Sequence, residues 1–381
     1  MALYQAPSFE ALEKLSRSRD ADLARRELLD PDRIRGRGAQ SNHTGRFEKQ
    51  KREGFDDGWD NVEPLTIFET VEHVERAKTI ITTNDSPDIG FERSINAYRG
   101  CEHGCIYCFA RPTHAYHDLS PGLDFETRLF AKPDAARLLR EELAKKSYRV
   151  SPIAMGTNTD PYQPIEREWN ITRQCIEVLA ACRHPLFITT KSDRVLRDLD
   201  LLSAMAKDRL VAVMMSVTTL DPKVARTLEP RAAHPLRRVD AIRQLAAAGI
   251  PVTASLSPII PAITDHEIET IIARVAAAGA REATFIPVRL PHEVAPLFRA
   301  WLKEHYPDRA EKVMGIIRDM RGGRDNDPGF GSRMRGQGVW ADLIRTRFHN
   351  ARRRAGFSGE RLTLRTDLFH PPGDEAQFQL L

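Results

Sequence analysis

Residues 186–217, LFITTKSDRVLRDLDLLSAMAKDRLVAVMMSV, read as one complete strand–helix–strand unit. The apolar run Leu186 to Thr189 leads into the helical stretch RVLRDLDLLSAMAK and then into a second apolar run, Val211 to Val217. Strands that are apolar without alternation are those buried on both faces, as in a parallel sheet covered by helices. Outward from this unit the same alternation recurs. Further strands are predicted at Ser94 to Tyr98, Pro152 to Met155, Val252 to Leu256 and Thr284 to Val288. Between them lie the amphipathic stretches KPDAARLLREELAKK, TRQCIEVLAACR, PLRRVDAIRQLAAAG and DHEIETIIARVAAAG, two of which end at Gly249 and Gly279 where a left-handed cap is wanted. Six such units are fewer than the eight of a closed barrel. The expected fold is therefore α/β, a partial (β/α)6 TIM-like barrel open on one side.

The barrel is expected to span residues 91–290. Residues 1–90 read as a charged N-terminal arm, with little apolar periodicity beyond a short helix around Phe9 to Leu15. Residues 291–381 read as a helical, Arg-rich C-terminal appendage, with three helix-like segments reaching to about Arg354. At 381 residues, 41% hydrophobic and 29% charged, the chain has ample material for one large core. A net charge of +4 neither demands nor excludes a polyanionic partner. The start of the chain is polar and charged where a secretory signal would be apolar, and no run approaches the ~20 apolar residues of a membrane span. The expectation is a cytoplasmic protein with no membrane contact.

Three of the five cysteines fall in one loop, 98-YRGCEHGCIYCFARPTH-114, directly after the first predicted strand. That is the end of a β/α barrel where active sites are built. Thiolates are soft, anionic ligands suited to iron–sulfur clusters, and a cubane has four irons to ligate. The spacing Cys101-x3-Cys105-x2-Cys108 supplies three, which leaves one iron open to a cofactor or substrate. The alternative is a zinc site completed by His103, His114 or His117. Cys175 and Cys182 lie seven apart in a predicted helix, roughly 10 Å along its axis and beyond disulfide reach.

The cysteine spacing, with aromatic Tyr107 before the last ligand, resembles the defining motif of the radical S-adenosylmethionine (SAM) superfamily. A longer resemblance, from about Arg35 to Asp367, is to the spore photoproduct lyase-like branch, also called DNA repair photolyase-like. It is carried by RGRGAQSNHTGRFE, TNTDPYQPIE, ITTKSDRVLRDLDLL, SVTTLD, LEPRAAHPLRRVDAIRQLAAAGI and SPIIPAITD. The resemblance implies a [4Fe-4S] cluster on Cys101, Cys105 and Cys108, with SAM chelating the open iron and an external reducing electron donor. It implies an enzyme of lyase or oxidoreductase type that works through a 5'-deoxyadenosyl radical. Tyr107, Thr159, Asp160, Lys191 and Ser216 are the residues it places near SAM. Thr159 or Asp160 would take the amino group, Lys191 the carboxylate, and Ser216 the ribose or carboxylate. Asp160 before Pro161 also suits an Asx-turn, Lys191 with Ser192 and Asp193 a helix cap, and Ser216 the barrel interior, but their common position at strand ends favours function.

The branch name suggests nucleic acid, and the appendage carries Arg321, Arg324, Arg333, Arg335, Arg345, Arg347, Arg352, Arg353 and Arg354 interleaved with Phe330, Trp340, Phe348 and Phe357. Such clustering suits phosphates and bases. It equally suits a solvated helix whose Trp340, Leu343, Ile344 and Phe348 face the barrel. The lyase itself returns a hydrogen from a cysteine near the end of strand two, where this chain has Met155 and Gly156. A nucleic-acid substrate therefore stands beside a protein or small-metabolite substrate, and beside a non-catalytic metal-stabilised nucleic-acid-binding module.

Overall fold

The computed structural model describes residues 36–42, 45–47, 69–357, 359 and 362–373. The helix expected around Phe9 to Leu15 lies outside the described residues. Within them, ten strands form two sheets. The larger has the order β10-β9-β8-β7-β6-β3-β2, built from β2 (Ile81–Thr83), β3 (Arg93–Ile95), β6 (Ile153–Met155), β7 (Leu186–Thr190), β8 (Val211–Ser216), β9 (Val252–Ile259) and β10 (Glu282–Pro287). The six strands from β3 to β10 pair in parallel, and β2 is antiparallel on the edge beside β3. This is the expected partial barrel, with β10 and β2 as its two edges.

The helices α1 (Ala135–Leu143), α2 (Ile171–Ala181), α3 (Leu199–Lys207), α4 (Pro235–Ala247) and α5 (Ile268–Ala277) return the chain between strands. Each puts an apolar stripe on the sheet, for example Ile242 and Leu245 of α4 and Ile271, Ile272 and Val275 of α5, all at most 1% exposed. Gly249 and Gly279 take φ of 78° and 94° after α4 and α5, so the caps form as expected.

The first predicted strand divides. After Ile95 the chain bends, and Tyr98–Arg99 (β4) joins a second sheet of order β1-β5-β4 with β1 (Val71–Val74) and β5 (Arg128–Ala131). The bend is fixed on both sides by one lysine: Lys132 Nζ donates to the Asn96 carbonyl at 3.0 Å and Lys132 N to the Ala97 carbonyl at 3.1 Å. It turns the following cysteine loop over the barrel end. Strands β1 and β2 lie inside the stretch expected as an arm. The sequence VEHV of β1 gave no sign of this, because all four residues are exposed.

Beyond the barrel, α6 (Val294–His305), α7 (Ala310–Asp319) and α8 (Gly338–Arg354) are the three expected helices. Ala341, Ile344, Phe348 and Ala351 of α8 are buried, with the Phe348 ring 4.4 Å from Phe285 of β10 between centroids. Trp340 and Leu343 were expected on that face but are 36% and 44% exposed. The buried stripe runs at three- and four-residue steps through 341, 344, 348 and 351, and they flank it. The arginines of α8 are largely paired: Arg345 with Asp342 (2.6 Å), Arg347 with Glu269 (2.7 Å), and Arg352 with both oxygens of Glu282.

Candidate active site

The cysteine loop is held from below by one buried guanidinium. Arg111, fully buried, donates to the carbonyls of Cys105 (2.9 Å), Pro121 (3.1 Å), Gly122 (2.9 Å) and Gly104 (3.0 Å), and to Glu126 Oε1 (2.5 Å). All five of its N–H bonds have a direction that this fork can serve. Glu126 in turn accepts from the backbone N–H of Gly38 (2.9 Å) and Ala39 (2.8 Å), so these two residues are seated on the loop. The approach is close: a Cβ on Gly38 would stand 1.9 Å from the Gly104 carbonyl oxygen. Gly104 itself has φ 66° in the left-handed region, where a side chain would also strike Glu126. From the other side Gln163 accepts from Glu102 N (2.9 Å) and donates to the Gly100 carbonyl (3.2 Å).

Cys101 and Cys105 are each 7% exposed, and Cys108 is more open. Burial pushes the Cys101 thiol well up and the Cys105 thiol to about 12, with Lys191 pulling Cys105 the other way and the neighbouring thiols adding to the rise. Thiolates become stable here only against a strong Lewis acid. Among the described residues no three His, Cys, Asp or Glu side chains converge on one point as a single-ion site requires. A cubane takes each thiolate at a separate iron, so its three protein ligands need not meet at one point. Of the histidines weighed as zinc ligands, His114 Nε2 bonds the Arg128 carbonyl at 3.0 Å, and His103 Nδ1 faces Asp160 Oδ2 at 3.4 Å.

The residues expected around SAM sit at consecutive strand ends. Asp160, after β6, uses both carboxylate oxygens internally: Oδ1 accepts from Tyr162 N (2.9 Å) and Thr190 Oγ1 (2.7 Å), and Oδ2 from Lys191 N (2.7 Å) while facing His103. The Tyr162 bond is the Asx-turn that its place before Pro161 allows. Burial would raise this carboxyl, but His103 and the three donors hold it at about 2. Lys191, after β7, lies with its Nζ 5.7 Å from the Tyr107 ring centroid, and Cys105 and Glu229 keep it charged against burial. Thr159 meets only the start of the loop, its hydroxyl donating to the Tyr98 carbonyl at 3.3 Å. Ser216, 3% exposed at the end of β8, stands in register opposite Ser255. The structure thus brings Tyr107, Asp160 and Lys191 to the cysteine loop and leaves Thr159 and Ser216 at its border.

Sequence reasoning missed a second buried ion pair at this end. Glu229, 2% exposed, accepts from Tyr107 Oη and from Thr218 Oγ1 (2.7 Å), and its Oε2 is 2.5 Å from Arg238 Nη2. Burial would raise Glu229, yet Arg238, Lys191 and the two hydroxyls hold it at about 2. The pair anchors Tyr107 and completes a charged wall of Lys191, Glu229 and Arg238 beside Cys105. Both residues belong to LEPRAAHPLRR, so the resemblance contained them without showing which would be buried.

Comparison with known proteins agrees with this architecture. Residues 95–275 match the family model described as the radical SAM superfamily. An uncharacterised protein of Mycobacterium tuberculosis (strain ATCC 25618 / H37Rv) is 36% identical over 230 residues, 60% of this chain and 68% of that one. A radical SAM Nalpha-GlyT isomerase of Pseudomonas phage M6 is 24% identical over 226 residues, 58% of this chain and 45% of its own. Among solved structures, spore photoproduct lyase complexed with dinucleoside spore photoproduct superposes with a TM-score of 0.51 at 18% identity, over 76% of this chain and 80% of that one. A clamped three-cysteine loop over the open end of six parallel strands, and these matches, agree: the chain belongs to the radical SAM superfamily and is a radical SAM enzyme.

Proposed function

We propose that Cys101, Cys105 and Cys108 hold a [4Fe-4S] cluster, that SAM lies between this loop and the ends of β6 to β8, and that the substrate is a nucleic acid. The observation that carries the cofactor reading is the partly buried cation Lys191 beside Cys105 and Tyr107, at the place where a carboxylate must be received. When bound, cluster and SAM together supply a 5'-deoxyadenosyl radical after one electron from an external reductant. The chain's own residues position and shield. Lys191 pairs with the SAM carboxylate, and Glu229, fixed by Arg238, sets the Tyr107 ring against the lysine. Asp160, its oxygens already engaged, acts as a positioning residue that ties the loop through His103 to the backbone of Lys191. Thr159 and Ser216 border the SAM site. The nucleic-acid reading is supported by the fold shared with a lyase solved with a dinucleoside. The pairing of Arg345, Arg347 and Arg352 with acids favours the second reading, a protein or small metabolite, because it removes charges that would track phosphates.

Lys191→Ala should keep the iron and weaken SAM binding by about 1.5–3 kcal/mol, the range for a hydrogen bond to a charged group. Calorimetric titration of anaerobically reconstituted protein checks this. Unchanged affinity would return Lys191 to a helix-cap role. Asp160→Asn should instead lower iron retention, since it loosens the loop.

A further inference from the structure

The two edges of the open barrel are bridged by one segment of the appendage. At the β10 edge, Arg321 Nη2 donates to the carbonyls of Pro287 (3.1 Å) and Val288 (2.8 Å), and its Nη1 to the Arg333 carbonyl (2.7 Å). At the β2 edge, Arg333 Nε donates to Asp88 Oδ2 (2.5 Å) and Gly331 N to Asp88 Oδ1 (2.7 Å), in the turn between β2 and β3. Arg289, one residue past Val288, stands in this seam with its Nη1 against the Met334 sulfur at 3.1 Å.

The charges of the seam do not balance. Arg321 is 2% exposed and held only by carbonyls, and its Nε is buried without a partner. Arg289 Nε is likewise buried without a partner. Among the described residues neither guanidinium has a carboxylate within ion-pairing distance. Asp88 is paired with Arg333 and acts on Arg289 only at a distance, as Asp327 does on Arg289 and Arg321. A buried cation without a counter-ion is strongly unfavourable. Burial lowers both pKa values, with Arg333 adding to the fall for Arg289 and Arg289 adding to it for Arg321, which reaches about 10; a bound anion would reverse that direction. On the outer side of the seam Phe330 is 65% exposed, with the Arg333 guanidinium 4.5 Å from its ring centroid.

Resting on the nucleic-acid reading above, we infer that this seam is a phosphodiester site for single-stranded nucleic acid, with Arg289 receiving a phosphate and Phe330 a base. Guanidinium forks match phosphate oxygens, and an exposed ring stacks on any base. A strand laid along the seam runs across the gap in the barrel wall. Arg345, Arg347 and Arg352 of α8, already paired with acids, are not the contact.

The test is binding of fluorescein-labelled single-stranded DNA and RNA decamers to the reconstituted full chain over a salt series. Arg289→Gln should weaken binding about tenfold and flatten the slope of log affinity against log salt by about 0.7, the value for one phosphate contact on a single strand. Arg289→Lys should retain the slope. Phe330→Ala should weaken binding about fivefold or more with the slope unchanged, since stacking releases no counter-ion. Iron and sulfide content verifies folding in each variant. Decamers that bind equally to wild type, Arg289→Gln and Phe330→Ala overturn the seam while leaving the nucleic-acid reading in place. Wild-type protein that binds no decamer at low salt overturns both.

Discussion

Alanine at Cys101, Cys105 or Cys108 should abolish cluster formation and, with it, reductive cleavage of SAM. Wild-type protein reconstituted without oxygen should carry about four irons and four sulfides per chain, and each of these variants close to none. The loss is expected to be all-or-none because the loop gives a cubane only three thiolates, and no other cysteine of the described chain can substitute. Cys175 and Cys182 lie in and just after α2 at 0% and 2% exposure, among packing residues of the large core. Their serine variants should keep the iron and cost about 1 kcal/mol or more of stability through a buried hydroxyl. Iron and sulfide analysis, with the visible absorbance of the cluster, reads all five variants side by side. Stoichiometric zinc without sulfide in anaerobically handled wild-type protein would replace the cluster by the zinc site.

The strands and helices were legible because each carries its own periodicity. The six barrel strands fall within a few residues of their expected places, and α6 to α8 are the three segments expected up to about Arg354. Pro152 was read as the first residue of a strand that begins at Ile153, since proline brings no N–H to a ladder. The site was legible only where it is local. The cysteine spacing lies within eight residues, whereas the groups that hold the loop are joined over long separations: Gly38 to Glu126 and Tyr107 to Glu229 are 88 and 122 residues apart. Periodicity says nothing about such polar pairs, and composition places them on the surface. Asp160 shows the remaining difficulty. Its turn-forming and functional readings were both drawn from the same Asn-Thr-Asp-Pro, and only the partners of its four acceptor positions show that it binds the loop to Lys191.

The Arg111–Glu126 pair should be the most costly polar contact in the protein to break. Both side chains are fully buried at 2.5 Å, and Arg111 also serves four carbonyls that have no water to turn to. Removing one partner of a buried ion pair leaves an uncompensated charge, at about 3–5 kcal/mol, a large part of the 5–15 kcal/mol that a typical domain holds. Arg111→Met should fall at or above the top of that range, because the orphaned carbonyls add to the stranded Glu126 carboxylate. Glu126→Gln should cost less, since the amide oxygen can still accept from Gly38 N or Ala39 N while the Arg111 charge is left without its counter-ion. The double variant Arg111→Met, Glu126→Gln should be less unstable than the sum of the two, as no charge then remains to be stranded. Urea unfolding of the iron-free proteins measures these differences, and parallel reconstitution should show cluster content falling in the same order. Additive costs in the double variant would mean that the two residues do not act as a pair, and that the loop's other bonds, such as those to Phe125, Leu228 and Gln163, hold it independently.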